Sequence, residues 1–271
     1  MGRSLRYPFM SADDRFQELL AEGLNRPFEG WDFSAVHHRN RIDPHPWDYT
    51  ARVTDLARNA RSMVDLGTGG GELLVDLDAR PPVTIATEGW MPNVTVAARS
   101  LRPIGVHVVA VEGAPDNAQQ RFTDVQGRLP FRDASLDVVI DRHEAFRATE
   151  VARTLRSGGR FLTQQVGSLN EIELNRALGG VAPCLSPTLE EYVDQLEGAG
   201  LEVVDAREAF IAKRYLDIGV LVYFLRAVPW QYEGFDAIRD QEALRRIHDM
   251  ILRDGSFTAH MHRFLLEAVK P

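Results

Sequence analysis

The run Met63-Val64-Asp65-Leu66-Gly67-Thr68-Gly69-Gly70-Gly71-Glu72 constrains the fold more than any other stretch, because an apolar segment enters a turn with three alternating glycines. Met63, Val64 and Leu66 around an acid suit a short buried strand. Glycines beyond it let the backbone turn tightly and approach a ligand with no Cβ intervening. Such a turn builds a cradle for a nucleoside-bearing cofactor. The dinucleotide fingerprint Gly-x-Gly-x-x-Gly places its third glycine where a helix packs against the strand; counted from Gly67, that place is Glu72. A carboxylate is a poor neighbour for a pyrophosphate, which disfavours NAD and an NAD-dependent reductase.

Further segments follow in register. Val83 to Glu88 reads as a second strand ending in an acid, whose two oxygens suit a ribose diol at the carboxyl end of a doubly wound sheet. Trp90 offers a flat apolar face to a purine, or to the protein's own core. Leu129-Pro130-Phe131-Arg132-Asp133-Ala134-Ser135-Leu136-Asp137 leads into a fourth strand, Val138-Val139-Ile140. Ala148, Val151, Ala152 and Leu155 then mark one helix face, closed at Gly158-Gly159 by a glycine suited to the left-handed cap, before a fifth strand from Arg160 to Val166.

Gly67-x-Gly69-x-Gly71, with Asp65 two residues ahead, resembles motif I of the class I S-adenosylmethionine (SAM) methyltransferases. The Leu129-Pro130-Phe131 segment and the helix with its diglycine are similar to further signatures of that family, so the resemblance covers residues 62 to 170 closely. It implies an α/β fold, a doubly wound seven-stranded Rossmann-like sheet in the order 3-2-1-4-5-7-6 with the last strand antiparallel. It also implies SAM as cofactor and S-adenosylhomocysteine as product. Asp65, Gly67, Thr68, Gly69 and Gly71 would cradle the methionine portion, Glu88 the ribose and Trp90 the adenine. An acid after the third strand would meet the adenine amino group; Asp116 and Asp124 compete, and Asp124 has the better spacing to Leu129. His143, in Asp141-Arg142-His143-Glu144 past the fourth strand, stands where acceptors bind in this family, and is expected to act as general base on a hydroxyl, oriented by Glu144. His37, His38 and His45 are weaker rivals.

Residues 1–61 are expected to form a helical cap or lid over a methyltransferase domain of residues 62–271. Helices are predicted over 13–24, with Phe16, Leu19, Leu20 and Leu24 at helical spacing, and over 47–60. Between them runs a loop rich in aromatics and histidines, from Trp31-Asp32-Phe33 to Pro44-His45-Pro46-Trp47. Beyond the fifth strand, Ser186-Pro187 caps a helix carrying Leu189, Tyr192, Val193 and Leu196. A strand is expected over 201–210, helices over 218–228 and 242–252, and a last strand over 262–269.

The chain has 271 residues, a net charge of −8 and one cysteine, Cys184, which excludes an internal disulfide and offers no zinc framework. His260 and His262 share a strand face but lack a third ligand, so no metal is expected. No apolar run reaches bilayer length, and the expectation is a cytoplasmic enzyme. The acidic balance disfavours a nucleic-acid partner, and Arg207, Lys213 and Arg214 read as a solvated face. A small uncharged or cationic acceptor, methylated at oxygen or nitrogen, is the favoured substrate. Of the adjacent Gln164 and Gln165, the inward one is expected to bond acceptor or cofactor. An RNA or protein methyltransferase and a non-catalytic SAM-binding protein stay open.

Overall fold

The computed structural model describes residues 12–28, 33–113, 127–181 and 187–271. Trp31, Asp32, Asp116, Asp124, Cys184 and Ser186 lie outside them.

The strands are β1 (Asn40–Ile42), β2 (Ser62–Leu66), β3 (Val83–Glu88), β4 (His107–Ala110), β5 (Leu136–Arg142), β6 (Leu155–Val166), β7 (Glu202–Tyr215) and β8 (Phe257–Val269). They form one sheet in the order β1-β7-β8-β6-β5-β2-β3-β4. β4, β3, β2, β5 and β6 run parallel, and β8 lies antiparallel between β6 and β7. The count is eight where seven were expected, and the order differs accordingly. The added strand is β1, from a stretch read as loop, pairing Asn40 with Tyr215 and Ile42 with Lys213 at the edge.

Alternation along the strands sorts the core into two layers. Met63, Val138, Ile140 and Leu162 face one side, under α2 (Tyr49–Arg58), α3 (Glu72–Asp76) and α4 (Met91–Leu101). Val64, Leu66, Val139 and Phe161 face the other, under α5 (Ala148–Thr154) and α7 (Leu189–Gly198). α5 stops three residues before the expected glycine, because Leu155 turns extended and packs in that second layer. α7 is capped by Thr188 in a capping box with Glu191, two residues beyond the expected Ser186 cap.

A third cluster joins the two ends of the chain. α1 (Ala12–Asn25) contributes Phe16, Leu19 and Leu20; α8 (Ile218–Ala227) and α9 (Gln241–Asp254) supply most of the rest, with Tyr215 from the end of β7 and Phe257 from the start of β8. α1 and α8 approach so closely that a Cβ at Gly23 would lie 2.4 Å from the Gly219 carbonyl oxygen. Arg39 ties the same helices by bonding both Glu22 and Asp217. β7 and β8 both run longer than expected because they reach into this cluster, which stands over the carboxyl edge of the parallel strands. α6 (Ile172–Ala177) closes the gap beside β8. Among the described residues, no helix is long and apolar enough to cross a membrane.

Candidate functional site

Four parallel strands deliver their carboxyl ends to one cleft: the glycine turn follows β2, Glu88 ends β3, His143 follows β5 and Gly167 follows β6. A cavity of about 790 Å³ opens there, within the usual range of ligand pockets (about 300–1,000 Å³). Asp65, Gly67, Thr68, Gly69 and Glu72 form one end, with Arg142, His143 and Glu144 beside them. The far end is made by the third cluster and by residues 33–45.

The turn after β2 holds Gly67, Gly69 and Gly71 at φ of 61°, 63° and 89°, a region that side-chain-bearing residues seldom adopt. A Cβ on Gly67 would lie 2.5 Å from Glu144 Cγ. Gly71 differs from its expected role. It does not line the cavity; it starts α3, and a Cβ there would lie 2.7 Å from Leu101 Cγ on α4. It thus serves the close packing that the dinucleotide pattern assigns to its third glycine, one residue earlier.

Glu88 is buried, and its two oxygens accept from the Gly69 and Trp90 backbone N–H groups, each at 2.8 Å. It therefore braces the turn directly, and each oxygen keeps acceptor capacity for a diol. Trp90 is 57% exposed at the start of α4, and neither it nor Glu88 lines the main cavity. Gly89 between them lines a smaller neighbouring cavity with Glu112 and Gly113. Asp116 and Asp124 fall outside the described residues.

The cradle is rich in acids held against their preference. Burial pushes the Asp65 carboxyl up to about 7, and pushes Glu144 up to about 7 with added repulsion from Glu88. Asp141 is raised by burial and then by Glu144, and its Oδ2 is buried without a partner among the described residues. No salt bridge neutralises Asp65, Glu72, Glu88 or Glu144 among the described residues.

His143 sits at the junction of the two ends with φ of 68°, its backbone N–H donating to the Gln164 carbonyl. Trp47 Nε1 donates to Gln164 Oε1 at 2.7 Å, and Gln164 Nε2 lies 3.0 Å from His143 Nε2. An indole N–H can only donate, so the amide must offer its NH₂ to the imidazole, and His143 Nε2 accepts. The Nδ1 then carries the proton. Burial, followed by the charges of Arg263 and Arg142, holds the ring well below the ordinary histidine range, so it is neutral near pH 7. Two expectations change: Gln164 orients this histidine in place of Glu144, and the lone pair needed by a general base is already engaged. Gln165, the neighbour that faces the cavity, donates to Asp141 Oδ1 and to the Glu144 carbonyl.

Among the rivals, His37 and His45 line the cavity and His38 does not. His260 pairs with Glu173 and His262 with Glu208, and no group of three metal-ligating side chains occurs among the described residues. Lys213 was expected on a solvated face; it is buried, bonds Glu171 at 2.9 Å and lines the cavity, whereas Arg214 and Arg207 pair outside with Asp43 and Asp205. The sequence signal for Lys213 was its place in the strand, where alternation with Arg214 puts only one of the two outward.

Solved structures share this fold. The fold matches the YcgJ protein from Bacillus subtilis, with a TM-score of 0.56 and 18% identity over 82% of this chain and 97% of that one. It also matches BH2331 of Bacillus halodurans C-125, a candidate methyltransferase, with a TM-score of 0.55 and 18% identity over 82% of this chain and 98% of that one. What is shared is the fold, an α/β doubly wound sheet that this chain has in common with a candidate methyltransferase. No family model matches the sequence, and no curated relative does.

Proposed function

We propose that this protein is a SAM-dependent methyltransferase that moves a methyl group to an oxygen or nitrogen of a small molecule. The observation that carries the reading is a glycine turn ringed by acids that form no salt bridge among the described residues, with Arg142 acting on Asp65 only from a distance. SAM brings a sulfonium and an ammonium, and such a ring fits a cation while repelling the pyrophosphate of a dinucleotide. Asp65, Gly67, Thr68 and Gly69 hold its amino-acid part, Glu88 its ribose and Trp90 its adenine; the adenine amino group is assigned to Asp124 from the sequence pattern alone. Gly71 acts through packing. When bound, SAM supplies an electrophilic methyl carbon.

The protein's own contribution is position: holding two reactants in line supplies up to roughly 7–11 kcal/mol. His143 offers the acceptor a neutral N–H, and of the expected lid over residues 1–61 the stretch 33–45 serves as part of the cover over the acceptor end, whereas α2 packs under the sheet. Equilibrium titration with SAM, S-adenosylhomocysteine and NADH tests the assignment, together with a mass spectrum of small molecules released from the purified protein. SAM and S-adenosylhomocysteine are expected to bind and NADH to fail. Binding of NADH alone, or of none of the three, overturns it.

A further inference from the structure

The two ends of the cavity carry opposite charge. Away from the glycine turn, the wall presents Lys213 and Arg263, with Arg142 at the junction of the two ends, and no acidic side chain among the described residues lines that part. Lys213 is satisfied, since its ammonium bonds Glu171 and lies 3.6 Å from the centre of the Phe224 ring. Glu171 is satisfied as well, by Lys213 and by the Tyr215 hydroxyl.

Arg263 is different. Its Nη1 donates to Asn170 Oδ1 and to the His262 carbonyl, which fixes the plane of the guanidinium. Its Nε–H and Nη2 make no hydrogen bond among the described residues, and no carboxylate lies within ion-pair distance of it there. Burial pulls this guanidinium down to about 10; the Glu171 carboxylate, beyond ion-pair distance and already bonded to Lys213 and Tyr215, pulls the other way, and Arg142 adds repulsion. The same two arginines depress His45 and His143 after burial has done so, which places all four basic groups around one space. An enclosed guanidinium whose Nε/Nη2 edge is unused, held in place by its other edge, is a receptor for a planar oxyanion, because a carboxylate accepts both parallel N–H groups at once.

We infer that the methyl acceptor carries a carboxylate, gripped by the Nε/Nη2 edge of Arg263 with Arg142 beside it, on an apolar body packed against Phe33, Val220, Tyr223, Phe224 and Met261. This deepens the methyltransferase reading and rests on it. It also revises the expectation drawn from the net charge of −8: the chain as a whole is acidic, while the acceptor end of its cavity is not. The neutral N–H of His143 suits the same guest, since a donor costs nothing beside an anion.

The test titrates 3-phenylpropionate, its amide and phenyl phosphate into the full-length protein, with and without saturating S-adenosylhomocysteine. The carboxylate is expected to bind at least about tenfold tighter than the amide. Arg263→Gln should abolish that preference while S-adenosylhomocysteine affinity stays unchanged, and Arg263→Lys, which keeps the charge but not the fork, should restore it only in part. Equal binding of carboxylate and amide, absence of binding by either up to about 10 mM, or a preference that survives in a folded Arg263→Gln protein overturns the inference. Tighter binding of phenyl phosphate moves the acceptor to a phosphate ester and also overturns it. Should Arg263→Gln fail to fold, Arg142→Gln and the probe series on the parent protein decide. Failure of S-adenosylhomocysteine to bind the parent strikes the methyltransferase reading alone, and the titrations without it still judge the carboxylate.

Discussion

Asp65→Asn is expected to stabilise the protein without cofactor and to destroy its affinity for SAM. Asp65 is 2% exposed, and burial lifts its carboxyl from 3.8 to about 7. A folded-state pKa raised above the unfolded one means that the native protein holds the proton more tightly, so stability is lost as pH rises from near 4 through 7. At about 1.4 kcal/mol for each tenfold change in proton affinity, the ionised group opposes folding by roughly 4 kcal/mol above pH 7. An amide removes that charge but brings an NH₂ needing its own partner, which returns about 1–2 kcal/mol. The net gain of about 2 kcal/mol corresponds to a rise in Tm of roughly 4–8 °C for a chain of this size. Thermal unfolding at pH 5 and pH 8, each with and without SAM, measures every part. The gain should be present at pH 8 and shrink at pH 5, and SAM should raise the Tm of the parent protein and not of the variant. A variant less stable than the parent at pH 8, or one that keeps its SAM affinity, refutes the reasoning that Asp65 is an ionised, ligand-directed acid.

Three further outcomes follow from the site and its supports. Glu88→Ala removes the acceptor for the Gly69 and Trp90 N–H groups along with the ribose contact; losing charge-assisted bonds of about 1.5–3 kcal/mol should weaken S-adenosylhomocysteine binding roughly 10- to 150-fold by calorimetry. Lys213→Met strands the Glu171 carboxylate, 1% exposed, and should cost about 3–5 kcal/mol in urea unfolding; adding Glu171→Gln should recover most of it, and a double variant no better than the single one would show that the pair is not the cause. His143→Ala should raise KM for the acceptor more than it lowers kcat and leave the pH profile of kcat/KM in place; loss of an ascending limb would instead make this histidine the base.

The central sheet was legible because its cues are local. Met63-Val64-Asp65-Leu66 and Val138-Val139-Ile140 are short apolar runs next to turn signals, Phe16, Leu19 and Leu20 repeat at helical spacing, and Ile218 to Leu225 is a continuous apolar run. What was hidden depends on distant partners. Asn40-Arg41-Ile42 has no pattern of its own and becomes a strand only because β7 offers an unpaired edge. The burial of Lys213 is decided by Glu171, 42 residues away, and the tautomer of His143 by Trp47 acting through Gln164 across 117 residues. The polarity of the cavity belongs to the same kind of fact: net charge is a sum over the whole surface, whereas a ligand meets only the few side chains that the fold turns toward it.

On the proposed methyltransferase reading, the acids around Gly67 and Gly69 would set a direction for turnover. In a cradle that binds SAM, the ligand arrives bearing a sulfonium and departs as an uncharged thioether, so the step that completes the reaction also cancels one of the attractions that held the ligand in place. At an effective dielectric constant near 20, one such charge beside a carboxylate is worth up to about 4 kcal/mol. Product would therefore leave a pocket that had become less hospitable to it, with no moving part needed to expel it, and the next cofactor would meet acids that again favour a cation.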